Sequence, residues 1–367
     1  MIHLRYDSLV TFASQVLVKV GYPKEKADIT SWALVEADAR GVPSHGLQRL
    51  VDYERYVKDG IFMPDAPTNR IHETALSTVL DGNNGIGMDI ALKSMKICLG
   101  KASEIGAGFC SVRNSNHFGM AGLWAEMAPP QNCIGITMTN TEPFAIVTHG
   151  RERLLGTNPI AVAFPATEDG AFLLDMATTT VPHGKIETCA RRNLEMPVGW
   201  AVDDTGADTT DPAAMSELFK SSLPFGGQLM LGGRGEILGG HKGYGLGLMV
   251  ELFCSALSNG TWSRHVFSPG KGGAISHFFA ALNLDLFGDP KGISSLVQSI
   301  LDEIRASEKA EGQNRIYVHG EKERLRRDES IEKGVALDEK TWEEMRTCSS
   351  RFGIALPEPS DPTTALE

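Results

Sequence analysis

Apolar side chains recur at Leu9, Phe12, Ala13, Val16 and Val20. This is the three-and-four spacing of one helix face, and it predicts helical structure across residues 6–40. The run SWALVEADARG closes that stretch and stops at Gly41, a residue able to take the left-handed conformation at a helix end. Leu47, Leu50, Val51 and Val57 mark the inner side of a third helix over 46–58. From about residue 77 the texture changes to short β-rich runs between Gly and Asn turns: STVLDGNNGIG, GFCSVRNSN, CIGITMTNT and IAVAFPATEDGAFLLDM. Asp81-Gly82 and Asp169-Gly170 read as tight turns. Helices are expected at 89–104 and 119–128. The apolar stretch GYGLGLMVELFCSAL, residues 243–257, reads as a buried helix among glycine-rich loops. Helical patterning returns at 294–307, in EKERLRRDESIEKG and around 338–351, and PEPSDPTTALE reads as a frayed tail.

The layout is α/β of the α+β kind, with a helical domain built from both chain ends around a central sheet-rich insert. Its boundaries are set at 1–76 and 290–350 for the helical parts, 77–289 for the insert and 351–367 for the tail. No internal repeat is visible.

Composition changes this picture little. The chain has 367 residues, 42% hydrophobic and 22% charged, which is ordinary globular usage. The charge matters more. Lys plus Arg is 35 against 46 Asp plus Glu, a formal −11. A chain of that sign repels polyphosphate, so nucleic acid is not an expected partner. An anionic small-molecule substrate would need local cations in a pocket. Six cysteines lie at long, irregular spacings without a CxxC pair, which reads as reduced thiols in a cytoplasmic protein with no zinc site. Arg5, Asp7 and Lys19 interrupt the N-terminal apolar run, so no secretory signal is expected. Residues 243–257 are too few to span a bilayer, and no membrane association is expected.

Five segments carry residue types suited to chemistry. In VPSHGLQR, Ser44 suits a helix N-cap, and His45 and Arg49, four residues apart, would share one helix face. An imidazole that moves protons near neutral pH would stand beside a guanidinium that grips a carboxylate. A surface capping turn would account for the same residues. In RNSNHFGMAG a β-run ends in a polar cluster and Gly119 opens a helix whose backbone N–H groups suit an anion. His117 there suits cofactor binding or acid/base work; a hydrogen-bonded turn built by Asn114, Ser115 and Asn116 is the plainer alternative. GTNP places Thr157 in an Asn-Pro turn, and DMATT puts Asp175 at a strand end. GGHKGYGLG surrounds Lys242 with glycines, which lets backbone approach a ligand closely. No GxGxxG follows a strand, and neither a P-loop nor an HExxH motif is present.

Taken in order, SHGLQR, RNSNHFG, ITMTNTEP, LLGTNPIAVAFP, LDMATT, GKIETCARR, GWAVDDTGADTTDP and GGHKGYGLGLMVELF resemble the malate/L-lactate dehydrogenase family of the non-Rossmann type, over roughly residues 5–325. The resemblance implies a largely antiparallel, non-Rossmann cofactor-binding sheet, an NAD or NADP cofactor with NAD preferred, and a homodimer with its active site near the interface. It implies hydride transfer between the nicotinamide and a small 2-hydroxy acid or its 2-keto acid, foremost malate/oxaloacetate or lactate/pyruvate. Reduction of a cyclic imino acid is the alternative enzyme reading, and a non-catalytic binding protein on the same fold is the other. By position, His45 would be the proton donor and acceptor, Ser44 its relay partner, and Arg49 with Thr157 the substrate's holders. Glu187 would help orient the ring. The acid/base role stays open between His45 and His117. His117, Phe118, Gly119, Met120, Ala121, Asp175, Met176, Ala177 and Lys242 would contact the cofactor, as would Gly320 and Glu321 in the loop VHGEKE, where His319 replaces the family's usual proline. No metal is implied.

Overall fold

In a computed structural model of the chain, which describes residues 2–167, 171–268, 270 and 272–360, the β-rich middle forms a seven-stranded sheet. From one edge to the other its strands are Asn69–Glu73, Ser77–Asp81, Ala107–Ser115, Ile275–Asn283, Cys133–Thr139, Ile160–Pro165 and Ala171–Met176. All neighbouring pairs are antiparallel except Ser77–Asp81 with Ala107–Ser115. That parallel pair needs a crossover, supplied by the helix Gly87–Ile105, which packs over Ala107–Ser115 and Ile275–Asn283. Residues 275–281 are buried throughout, Ser276 and His277 included, so the central strand is covered on both faces rather than alternating between core and solvent. A smaller five-stranded sheet joins Asp208–Thr209, Ala201–Val202, Gly227–Gln228, Ala145–Ile146 and Arg153–Leu155.

The helices at the chain ends meet one another. Tyr6–Val20, Lys24–Ala39 and Leu50–Lys58 from the start pack with Glu321–Lys333 and Glu339–Phe352 from the end. A two-stranded ribbon, Ile2–Leu4 with Val335–Leu337, ties the ends together. Between them, Glu36 is buried and paired with Arg40 and Arg327.

Several expectations change. The segment 46–58 is helical only from Leu50; Pro43–His45 and Leu47–Arg49 are separate 3₁₀ turns. The helix expected at 119–128 shrinks to Ala121–Ala125, because Gly119 has φ +77° and Pro129-Pro130 begin a 3₁₀ turn. Asp81-Gly82 does lead a tight turn: the Asp81 carboxylate accepts the Asn83 N–H at 3.0 Å, the Gly85 N–H donates to the Gly82 carbonyl at 2.7 Å, and the chain runs on into the crossover helix. Asp169-Gly170 lies outside the described residues, as do residues 361–367.

The start of the tail is not frayed. Leu4 bridges Pro359 and the Ser360 N–H donates to the His3 carbonyl at 3.1 Å. The stretch 243–257 is helical, as Gly240–Glu251 and a π-helical turn Leu252–Ala256, but it is not buried. Gly243, Gly247, Val250 and Cys254 face inward, while Leu252 is 54% and Leu257 56% exposed. Among the described residues, no helix is long and apolar enough to cross a membrane.

Candidate active site

The loop after the second helix is shaped by a buried acid. Asp38 accepts the Leu47 N–H at 2.7 Å. Gly46 lies so close that a Cβ there would come 2.0 Å from the Asp38 Oδ1; only glycine fits. Burial, with the Asp338 charge adding to it, pushes the Asp38 carboxyl up to about 8. Gly46 is extended, at φ −92° and ψ −156°, so it breaks the expected common helix face of His45 and Arg49. Ser44 does not cap a helix either; its Oγ lies 3.0 Å from the His45 Nδ1. Arg49 folds back by a different route. Its Nε donates to the Ser44 carbonyl at 2.8 Å, and its terminal nitrogens reach Asp52 at 3.1 Å and Glu187 at 3.2 Å.

The second histidine arrives on an anchored turn. Asn114 donates to Asp81, and Asn116 donates to the Asn84 and Gly85 carbonyls at 2.7 and 2.9 Å. The Ser115 Oγ is 2.8 Å from Nε2 of the buried His277. The hydrogen-bonded turn that these residues favour does form, and it delivers His117 against His45. The two rings stack with centroids 5.4 Å apart and planes 19° from parallel. Nδ1 of His117 lies 2.6 Å from the Tyr53 hydroxyl. Phe118 is buried and stacks on His277 at 4.5 Å, so it supports the turn from beneath.

A cleft of about 330 Å³ opens in front of His45. Ser44 and His45 form one wall. Gly119, Met120, Ala121, Thr157, Asp175, Met176 and Ala177 form another, and the chain around Tyr317–Gly320 with Lys322 and Glu323 closes the third side. Thr157 is fixed from both directions: its N–H donates to the Thr141 Oγ1 at 3.0 Å, and Thr178 donates to its carbonyl. The next residue, Asn158, is held by the buried Glu251 carboxylate at 3.0 Å. Asp175 accepts the Gly122 N–H at 2.7 Å, and burial raises its carboxyl to about 6. That bond sets the Asp175 carboxylate on one N–H at the start of a helix only five residues long. His319 lines the cleft with its ring 5.8 Å from that of Phe172.

Not every expected residue reaches this cleft. His117 and Arg49 are not in its lining; both are half-buried, His117 stacked on His45 and Arg49 bonded to the Ser44 carbonyl. Lys242 is exposed on the first turn of Gly240–Glu251, away from the cleft. Glu321 is buried and turned toward Arg305, Arg315 and the Val318 N–H; it braces the Gly320 turn. A separate cavity of about 390 Å³ runs between His149, Arg151 and Arg234. It contains none of the expected residues, and its two arginines are engaged by the Asp204 carbonyl and Asp208. Among the described residues, no cluster suited to a metal ion occurs.

The electrostatics separate the two histidines from ordinary ones. Burial, and then the Arg49 charge, lower His45 to about 4, with Glu187 opposing. Burial, then His45 and Arg49, drive His117 well below the usual imidazole range. Both rings are therefore neutral at neutral pH. Glu187 is held at about 2, first by His183 and then by Arg49, so it stays ionised. Sequence reasoning passed over Asp38 and Tyr53. Neither sits in a chemical motif, and nothing in local spacing connects Tyr53 with His117, 64 residues away.

The family model described as malate/L-lactate dehydrogenase matches residues 4–346. The malate dehydrogenase of Pyrococcus horikoshii is 42% identical over 353 residues, covering 95% of each chain. The L-sulfolactate dehydrogenase of Methanocaldococcus jannaschii is 36% identical, covering 93% of this chain and 94% of its own. The crystal structure of malate dehydrogenase from Entamoeba histolytica superposes with a TM-score of 0.94 at 35% identity, covering 97% of this chain and 99% of that one.

Proposed function

The chain belongs to the malate/L-lactate dehydrogenase family, and from that premise we propose that it oxidises and reduces a 2-hydroxy acid and 2-keto acid pair, malate and oxaloacetate first, with NAD as cofactor. One observation carries the reading. His45, partnered by Ser44 and backed by His117 and Arg49, stands at the wall of a cleft whose other sides bear the expected cofactor residues Gly119, Asp175 and Gly320.

The cleft suits a dinucleotide. Met120, Leu173, Met176 and Pro182 give apolar surface for a flat ring, and Asp175, Glu323 and Lys322 give polar partners for ribose and phosphate. The nicotinamide, when bound, accepts or donates the hydride at the substrate's C2. The remaining work falls to side chains. Arg49 keeps unused N–H groups after pairing with Asp52 and Glu187, and these grip the substrate carboxylate. His45, neutral before substrate binds, takes the C2 hydroxyl proton during oxidation and returns it during reduction. Ser44 holds the ring's Nδ1 side, and Thr157 lines the substrate end. His117 stacks on His45 and steadies its ring.

The unpaired face of Gly240–Glu251 and Leu252–Ala256 supports a homodimer. Leu246, Leu248, Leu252, Phe253 and Leu257 are all exposed along this segment, close in sequence to Ile237 at 98% and Leu238 at 82% exposure. A second copy covering this face would take in Lys242 and bring the interface toward the cofactor. The six unpaired cysteines fit the cytoplasm.

The test is an absorbance assay of reduced nicotinamide oxidation. It sets oxaloacetate, pyruvate, sulfopyruvate and piperideine-2-carboxylate against NADH and NADPH. Oxaloacetate with NADH should give the highest kcat/KM. Turnover confined to the imine would replace the reading with an imine reductase, and no turnover at all would end it.

A further inference from the structure

Tyr53 is buried, with its ring packed 5.3 Å from Phe62. Its hydroxyl has two neighbours that can bond it: Nδ1 of His117 at 2.6 Å and the Met88 sulfur at 4.0 Å. A phenol carries one proton, and burial pushes this hydroxyl well above its ordinary pKa, so the proton stays on. If Nδ1 of His117 were protonated, it would donate to the phenol oxygen. The phenol proton would then have only a distant thioether, a weak acceptor, and would be a buried donor left unpaired. If the phenol donates to Nδ1, its proton is satisfied in a short bond. The second arrangement wins, because His117 is only half-buried and its Nε2 is not among the buried atoms lacking a partner, so a proton there can meet water or substrate. Among the described residues the His117 ring makes no other side-chain hydrogen bond, so this one contact decides its tautomer.

We infer that Tyr53 is a positioning residue for the reaction, holding the His117 proton on Nε2 so that this ring serves as a fixed hydrogen-bond donor beside His45. The inference rests on the dehydrogenase reading. The neighbouring His45 and Arg49 oppose a second proton on His117, so its ring stays neutral. The two stacked histidines then divide the labour. In oxidation the hydroxyl proton goes to His45, the hydride goes to the nicotinamide, and His117 keeps its proton throughout. A neutral imidazole donor of this kind steadies the oxygen at C2 as it changes between alcohol and carbonyl.

Two measurements test this on the full-length protein. Ring nitrogen–proton correlation spectra of the ligand-free enzyme, assigned with His117→Gln, should show Nδ1 as an acceptor and the proton on Nε2. Tyr53→Phe keeps the ring packing and removes the donor, so the His117 signals should move to a mixture of tautomers. In the same variant kcat should fall about tenfold, with KM nearly unchanged and the pH profile of kcat displaced. A proton on Nδ1 in the native enzyme overturns the inference. So does a Tyr53→Phe enzyme with native spectra, or with native kcat and pH profile. If Tyr53→Phe fails to fold, the native spectrum decides alone. The spectra need no substrate, so an enzyme with the expected tautomer and no 2-keto acid turnover would overturn the dehydrogenase reading while sparing the tautomer assignment.

Discussion

Gly184 sits so close to Ser44 that a Cβ on it would lie 2.5 Å from the serine's Cβ. Gly184 is in the first turn of His183–Arg192, the helix that carries Glu187 toward Arg49. On helix propensity alone, Gly184→Ala should stabilise by about 1 kcal/mol. The contact with Ser44 decides otherwise. The methyl must push this helix away, loosening both the Glu187–Arg49 pair and the Ser44–His45 contact. We expect a lower kcat, a raised substrate KM and no gain in melting temperature. A more stable enzyme with native kinetics would show that the two segments are not tightly packed.

His45 lines the cleft and takes the proton while His117 only donates a hydrogen bond, so replacing each with Ala should have unequal effects. His45→Ala should lower kcat by about 10²–10⁴ if the ring moves the proton. His117→Ala should cost less. The pH profile offers an independent check. Oxidation needs neutral His45, and this form is lost as pH falls through about 4. The acid limb of kcat/KM for the hydroxy acid should therefore lie near 4, well below the ordinary imidazole value of about 6.5. A larger loss in His117→Ala would transfer the role, and an acid limb near the ordinary value would show that His45 is not held neutral by burial.

Part of this arrangement was legible in the chain itself. The helical spacing of Leu9, Phe12, Ala13 and Val16 matches a real buried face, because an amphipathic helix writes its packing into its own period. The β-rich runs marked real strands for the same reason. His45 and Arg49 were singled out by residue type, but the reason for their proximity was not visible. Helical spacing does not join them; Gly46 packed on Asp38 bends the loop so that Arg49 folds back on Ser44. The stretch 243–257 was misread because an all-round apolar helix looks the same whether its own chain or a second copy covers it.

That exposed stretch makes its own prediction. Leu252 and Leu257 are both exposed on it and make no part of the cleft. Charging both, in Leu252→Asp with Leu257→Asp, should leave the fold intact, since they are already exposed. Sedimentation equilibrium should give twice the chain mass for the native protein and the single chain mass for the variant. If dimerisation completes the site through Lys242, activity should fall with the mass. A variant that keeps the native mass would show that this segment is not the dimer contact.

Asp38 ties stability to pH. Its carboxyl titrates near 8 in the folded chain and near 3.9 when unfolded. Between those values the folded state holds a proton that the unfolded state has released. Stability must then fall as pH rises, by about 1.4 kcal/mol per pH unit from this group, and level off above 8. The buried histidines act in the opposite sense. His45 at about 4 and His277 at about 3 are depressed below the unfolded value, so their contribution is present above about 6.5 and is lost as pH falls. Asp175, at about 6, has largely levelled off by then, so in the window from 6.5 to 8 the comparison with Asp38→Asn singles out Asp38. Asp38→Asn keeps an oxygen for the Leu47 N–H and removes the titration. Chemical denaturation across that window should show native stability declining with pH while Asp38→Asn stays level, so that the variant overtakes the native chain near pH 8. Parallel curves would mean that Asp38 is already ionised in the fold, and the loop beneath His45 would then rest on a buried charge.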